Sequence, residues 1–231
     1  MAEAFSPVES KNALRARLAV YFGVLFLFPA PIQAGPIFED LFGDTIGAPN
    51  IAHDIKSIST EVSQSAITFA IDFYGTIAPP STFSLNSVVG FIDVDIDQNS
   101  STGVSSHRTR FGEGDSNLGV EFFLDLFSER FHAGMVEIID ANTAREIGLA
   151  QAIYEPRRFS VAVPLELLSN DGIVNYGAMV GDFLDMSDIA PNMGVAFSVP
   201  EPGGGALLIA GISLLLTGLA RVYRGGRRIS R

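Results

Sequence analysis

Ile67-Thr68-Phe69-Ala70-Ile71-Asp72-Phe73 sets a large apolar side chain at every second position, with Thr68, Ala70 and Asp72 between them. A period of two marks a half-buried strand, because successive side chains point to opposite faces. The same alternation recurs along the chain. Val88 to Ile96 sets Ile92, Val94 and Ile96 against Asp93, Asp95 and Asp97. Val120, Phe122, Leu124 and Leu126 are expected to share one face, with Glu121, Phe123, Asp125 and Phe127 on the other. Met135 to Asp140 and Glu146 to Tyr154 read as a hairpin around Ala141-Asn142-Thr143. Ser57 to Val62, Phe159 to Val163, Ile173 to Val180 and Val195 to Val199 supply further strands. Only Pro164 to Ser169 reads as a short helical turn, with Pro at a favourable first position and Asn170-Asp171-Gly172 to stop it. Gly35 to Asn50 reads as an irregular leader. Many short strands between turn residues predict an all-β domain over residues 35–198, an antiparallel two-sheet sandwich or jelly roll.

The chain has no Cys, so the domain stands on its apolar core without disulfides. Its charge is uneven. The whole chain carries 15 Lys+Arg and 26 Asp+Glu, net −11. Residues 35–202 hold 7 of the bases and 24 of the acids, a net of −17. Phosphate binding needs a basic face, so nucleic acid is excluded as a partner. Cations suit such a domain, because they relieve its self-repulsion.

The sharpest constellation is Asp93-Val94-Asp95-Ile96-Asp97-Gln98-Asn99-Ser100-Ser101-Thr102-Gly103. On a strand the three aspartates face one way, with like charges about 7 Å apart. Asp97, Asn99 and Thr102 stand where the chain turns and can curl their oxygens around one ion. Glu121 is placed to join them from a neighbouring strand. Hard oxygen donors suit calcium, so Asp93, Asp95, Asp97, Asn99 and Glu121 form the candidate metal set, the alternative being a solvated turn and an acidic outer face. The loop is not an EF-hand: Gln98 stands where that loop needs Gly, and Val104 where it needs Glu. Asp182, Asp185 and Asp188 make a second acidic loop, whose spacing of three suits turns and Asx caps as well as a metal.

The two ends read differently. Lys11, Arg15 and Arg17 precede Leu18 to Phe28, an 11-residue apolar run ended by Pro29 and Pro31, with Ala34 before Gly35 as the cleavage position. That is the pattern of a signal peptide over residues 1–34, too short to be a span. At the other end Pro200-Glu201-Pro202 is followed by Gly203 to Ala220, 18 residues without charge, then by Arg221, Arg224, Arg227, Arg228 and Arg231. At about 1.5 Å per residue such a helix approaches the thickness of a bilayer core, and the arginines place its end in the cytoplasm.

The three ordered parts over residues 199–231 resemble the PEP-CTERM sorting signal of Gram-negative bacteria. The resemblance implies transient anchoring in the inner membrane and cutting near Pro200-Glu201-Pro202 by an exosortase, a membrane-embedded cysteine peptidase. The product is then carried to the cell surface or beyond it. Residues 54–197, with their Asp-rich strand end and glycine-rich loop, are similar to secreted bacterial sandwich domains of the carbohydrate-binding and DOMON-like type. Together these imply a non-catalytic surface or matrix protein that binds calcium or polysaccharide. Two other readings compete. One is a secreted glycoside hydrolase acting on exopolysaccharide, since Asp93, Asp95 and Asp97 alternate like the acid triad of laminarinase-like jelly rolls. That family's triad begins and ends with Glu, however, and this chain has no Trp to stack on sugar. The other is a permanently membrane-anchored periplasmic binding module. No Gly-x-Ser-x-Gly elbow, His-Glu-x-x-His helix or cysteine nucleophile occurs.

Overall fold

A computed structural model describes residues 33–46, 52–114, 116–168 and 172–198. The expected signal peptide up to residue 32, the Pro200-Glu201-Pro202 motif, the apolar stretch after it and the five terminal arginines lie outside the described residues. Among the described residues no helix is long and apolar enough to cross a membrane.

The described chain is mostly antiparallel β-structure. Its strands are β1 (Gln33–Glu39), β2 (Ile55–Val62), β3 (Ala66–Phe73), β4 (Val89–Asp95), β5 (Val104–Ser105), β6 (Gly119–Val120) and β7 (Phe122–Asp125). They continue as β8 (Met135–Asp140), β9 (Arg145–Glu155), β10 (Arg158–Pro164), β11 (Asn175–Gly181), β12 (Met186–Ala190) and β13 (Ala196–Phe197). One α-helical turn, α1 (His107–Arg110), and three short 3-10 turns interrupt them. One of these turns is Leu165–Leu167, inside the stretch expected to be helical. The β8–β9 hairpin forms where the alternation placed it.

Three expectations are corrected. The first concerns the sheets. The main strands make one continuous ladder in the order β1-β2-β3-β10-β9-β8-β7-β4-β11-β12, with β13 also on β11. The ladder curls until its ends approach: β2 lies against β12, and β1 against β13. The Ile46 N–H donates to the Ser187 carbonyl at 2.6 Å, and the Ile55 N–H to the Asp188 carboxylate at 2.6 Å, across that seam. The result is nearly a closed barrel in place of two stacked sheets. The cause is the alternation itself. Every long strand offers one apolar face, and a curling sheet can turn all of them inward while shielding its own edges. Phe69, Phe73, Phe159, Ile92, Leu124, Ile138, Val161 and Tyr176 meet there, each 2% exposed or less. Phe69 and Tyr176 touch edge to face at 5.3 Å between centroids.

The second correction concerns Gly35 to Asn50. Its first part is not irregular, because β1 pairs with β2 from Gln33↔Val62 to Glu39↔Ser57. The run Gln33-Ala-Gly-Pro-Ile-Phe-Glu39 lacks apolar alternation, and a bulge between Ala34 and Ile37 breaks its register. Phe38 packs against the core while Ile37 stays 69% exposed. The expected cleavage after Ala34 falls at this bulge. β12 also escaped the pattern, being five residues long with only Ile189 as a large branched apolar side chain.

The shared face expected for Val120 and Phe122 is likewise not found. Phe122 packs on the main core, whereas Val120 joins Leu118, Ala141, Val104, Phe123 and Val195 in a second cluster. The chain bends at Glu121, between β6, which pairs with β5, and β7, which pairs with β4 and β8. That bend decides where the Glu121 side chain goes.

Gly90 sits in β4 opposite Val180 with φ +137°, and a Cβ there would lie 2.0 Å from the Met179 carbonyl oxygen. Gly90→Ala is therefore expected to lower unfolding stability by about 1–3 kcal/mol, as other overpacked sites do. Chemical denaturation of the two chains measures this; equal midpoints would contradict the β4–β11 register.

Candidate functional site

β4 delivers Asp95 at its last residue, and the chain then turns back over Gly119. A Cβ on Gly119 would lie 2.3 Å from the Thr102 carbonyl oxygen and 2.5 Å from that of Asn99, so the turn rests directly on that backbone. Gln98 and Gly103 both take positive φ, 57° and 65°. The turn is held by its own acids: the Asn99 N–H donates to Asp97 Oδ1 at 2.9 Å and to Asp95 Oδ1 at 3.2 Å. Glu121, turned by the bend, accepts the Ile96 N–H through Oε2 at 3.0 Å.

One carboxylate oxygen from each of Asp95, Asp97 and Glu121 lies within 4.8 Å of the other two. Acceptors outnumber protons here. The Thr102 hydroxyl stands 2.9 Å from both Asp97 oxygens, 2.8 Å from the Asn99 carbonyl and 3.2 Å from Glu121 Oε1. It has a single hydrogen to give them. Asp95 is fully buried; the Asn175 side chain and the Gln98 and Gly119 N–H groups lie near enough to favour its charged form, but its Oδ2 has no partner at hydrogen-bond geometry. Burial raises the Asp95 and Glu121 carboxyls above their ordinary values, and the charge of Asp97 adds to both. The oxygens suit a hard cation. Two oxygens on opposite sides of a calcium ion stand about 5 Å apart, given bond lengths near 2.4 Å.

The structure separates Asp93 from this group. Its Oδ1 lies 2.6 Å from His107 Nδ1, and its Oδ2 accepts the His107 N–H at 2.6 Å. The imidazole stacks on Phe91 at 3.8 Å and meets the edge of Phe123 at 4.7 Å. Asp93 thus anchors α1 to the outer face of the sheet. Asn99 stands beside the carboxylates, but its side-chain oxygen accepts the Ser101 N–H, leaving only its carbonyl facing Thr102. Arg108 spends its guanidinium on the carbonyls of Glu113, Pro191 and Asn192.

The Asp182–Asp188 loop does not form one site. Asp182 Oδ1 accepts the N–H groups of Leu184 and Asp185 and closes the β11–β12 turn. Asp188 points elsewhere, to a second group of acids that sequence reasoning missed. One oxygen from each of Asp40, Asp44 and Asp188 lies within 4.8 Å of the others, and Asp54 stands near enough to raise Asp40. No local pattern joins these residues, since 148 positions separate Asp40 from Asp188.

Comparison with protein-family models, with curated proteins and with solved structures finds no match to this chain.

Asp40 is pushed up to about 7, first by burial and then by the charge of Asp44. Asp188 is pushed up to about 7 by burial. Both therefore hold protons in the folded chain that the unfolded chain releases from about pH 4 upward. Their stabilising contribution is complete below pH 3.8, the ordinary value, and is lost as pH rises through about 7. In the presence of chelator, this pair is expected to make unfolding free energy decline over that window with a slope of up to about 2.7 kcal/mol per pH unit, about 1.4 for each proton. Urea titrations of the chain and of its Asp188→Asn variant measure the pair's share; a variant with an unchanged slope would contradict it.

Proposed function

We propose that this chain is an exported, exosortase-sorted protein of the cell surface or extracellular matrix. Its β domain is a non-catalytic module that binds calcium at the Asp95–Asp97–Glu121 turn. The observation that carries the binding half is Asp95 Oδ2, buried and without a partner beside two further carboxylates that share one hydroxyl proton. An ion there supplies the positive charge that the local donors do not. The net charge of −17 over residues 35–202 favours the same class of ligand. Extracellular polysaccharide is a second ligand consistent with a calcium-bearing surface domain, the ion bridging acidic sugars to the turn. The glycoside hydrolase reading loses support at Asp93, which is 4% exposed and has both oxygens committed to His107.

The export half rests on the two termini. The N-terminal apolar run enters the export machinery. Pro200-Glu201-Pro202 is presented outside the inner membrane by the apolar stretch behind it, and Arg221, Arg224, Arg227, Arg228 and Arg231 hold the end in the cytoplasm. The permanently anchored binding module differs only in keeping that stretch.

Calcium binding to the folded form stabilises it by about 2.7 kcal/mol at one hundred times Kd. The melting temperature of the purified chain is expected to rise in calcium more than in magnesium at matched ionic strength. Asp97→Asn should remove part of that rise, and Asp93→Asn should lower the baseline melting temperature while leaving the calcium increment intact. An Asp97→Asn chain with the full calcium response would overturn the assignment of the turn.

Intact-mass analysis of the exported protein should show loss of residues 1–34 and of the arginine tail. Glu201→Ala should leave export intact and hold the protein in the inner membrane. A released product that still carries Arg221 to Arg231 would overturn sorting by cleavage.

A further inference from the structure

The seam where the curled sheet meets itself is lined with acid. Asp40 follows β1, Asp44 lies in the loop after it, Asp54 immediately precedes β2, and Asp188 belongs to β12. Asp40, Asp54 and Asp188 are 7%, 2% and 0% exposed. Some of their oxygens are satisfied. Asn192 bridges Asp40 Oδ1, at 2.6 Å, and Asp44 Oδ2. The Gly43 N–H donates to Asp54 Oδ2, and the Ile55 and Ile189 N–H groups donate to the two oxygens of Asp188.

Three oxygens are left over. Asp40 Oδ2, Asp44 Oδ1 and Asp54 Oδ1 are buried without any hydrogen-bond partner. The ion pairs among the described residues are Asp93–His107, Glu137–His132 and Asp72–Arg158, so no side-chain cation answers this group. Buried carboxylate oxygens without donors are costly and call for a counter-charge. Protons alone answer this incompletely, since four carboxylates converge and the donors already present are spent.

We propose that Asp40, Asp44 and Asp188, with Asp54 beside them, hold a divalent cation of the calcium class that fastens the β1–β2 end of the sheet to β12. The donor set is oxygen only, and it comes from three separate segments of irregular geometry. That combination suits calcium's flexible shell better than the strict octahedron of magnesium. The spacing is of the right scale for one ion, because oxygens that share a calcium ion stand no more than about 5 Å apart and these lie within 4.8 Å of one another. The site is distinct from the Asp95 turn and shares no residue with it. The ion acts as a clasp: it joins residues that the backbone ladder alone brings together only at the seam.

Ion counting separates the two sites. The purified full-length chain is stripped with chelator and dialysed against calcium, and bound metal is measured per chain. Asp44→Asn is expected to lose one equivalent, and Asp97→Asn to lose a different one. Asp44 is half-buried and takes no part in the apolar core, so its isosteric replacement leaves the core intact. If Asp44→Asn binds as much calcium as the parent chain, the seam site is overturned, whatever Asp97→Asn does. If Asp97→Asn alone retains full binding, the turn fails and the seam stands. Terbium gives an independent reading. The Tyr74 hydroxyl donates to the Asp40 carbonyl at 3.3 Å, so terbium in the seam should emit on excitation of tyrosine. Tyr74→Phe should reduce that emission, and Asp44→Asn should reduce it equally; terbium emission indifferent to both would overturn the proposal.

Discussion

A long antiparallel ladder in which every main strand carries one apolar face must curl until those faces enclose one another. The structure depends on that constraint. Phe69 on β3 and Phe159 on the adjacent β10 share one interior with Tyr176, which belongs to β11 near the other end of the ladder. Each large side chain buried in this way contributes about 1.5–3 kcal/mol, and the chain has no disulfide to add to it. Curling also brings the first and last strands together, and the contacts at that junction are polar as well as apolar. The Asp188 carboxylate accepts a backbone N–H from Ile55 across the seam, replacing the ladder bonds that a fully closed barrel would supply.

The placement of acids follows from the same geometry. A domain this negative can keep most of its carboxylates in water, where they repel weakly. It nevertheless draws Asp95 and Glu121 into the turn at the end of β4, and Asp40, Asp54 and Asp188 into the seam. Both groups lie at edges of the sheet, where backbone N–H groups satisfy some of the carboxylate oxygens and leave others. Each contains buried carboxylate oxygen without a donor. In both, burial raises the carboxyls above their ordinary values. Two cations near these groups are committed to other partners. Arg108 ties the α1 loop to Pro191 and Asn192 through carbonyls, and His107 pairs with Asp93 between two phenylalanine rings. Asn192, held by that same loop, reaches back to Asp40 and Asp44, so the outer face and the seam are mechanically joined.

The acid turn was legible because its residues are neighbours. Asp95, Asp97, Asn99 and Thr102 fall within eight positions, and Glu121 lies one strand pairing away. Asp93 misled for a definite reason. Alternation puts it on the same side as Asp95, but it does not reveal that α1 covers that part of the sheet and supplies His107. The bend at Glu121 was equally hidden, because a period of two continues through it in the sequence while the hydrogen bonds change partner. β1 and β12 were hidden because pairing partners, more than their own side chains, make them strands.

The sequence by itself determined the strand-rich class, the positions of most strands, the excess of acid and the local oxygen-rich turn. Each of these depends on residues close in the chain, through side-chain alternation and turn chemistry. Only the tertiary structure decided that one sheet curls on itself in place of two sheets stacking. It alone decided which carboxylates lose water together. Asp40 and Asp188 repel each other as free charges, and nothing local pairs them. They converge because closing the sheet over its apolar interior stabilises the fold by more than that repulsion costs.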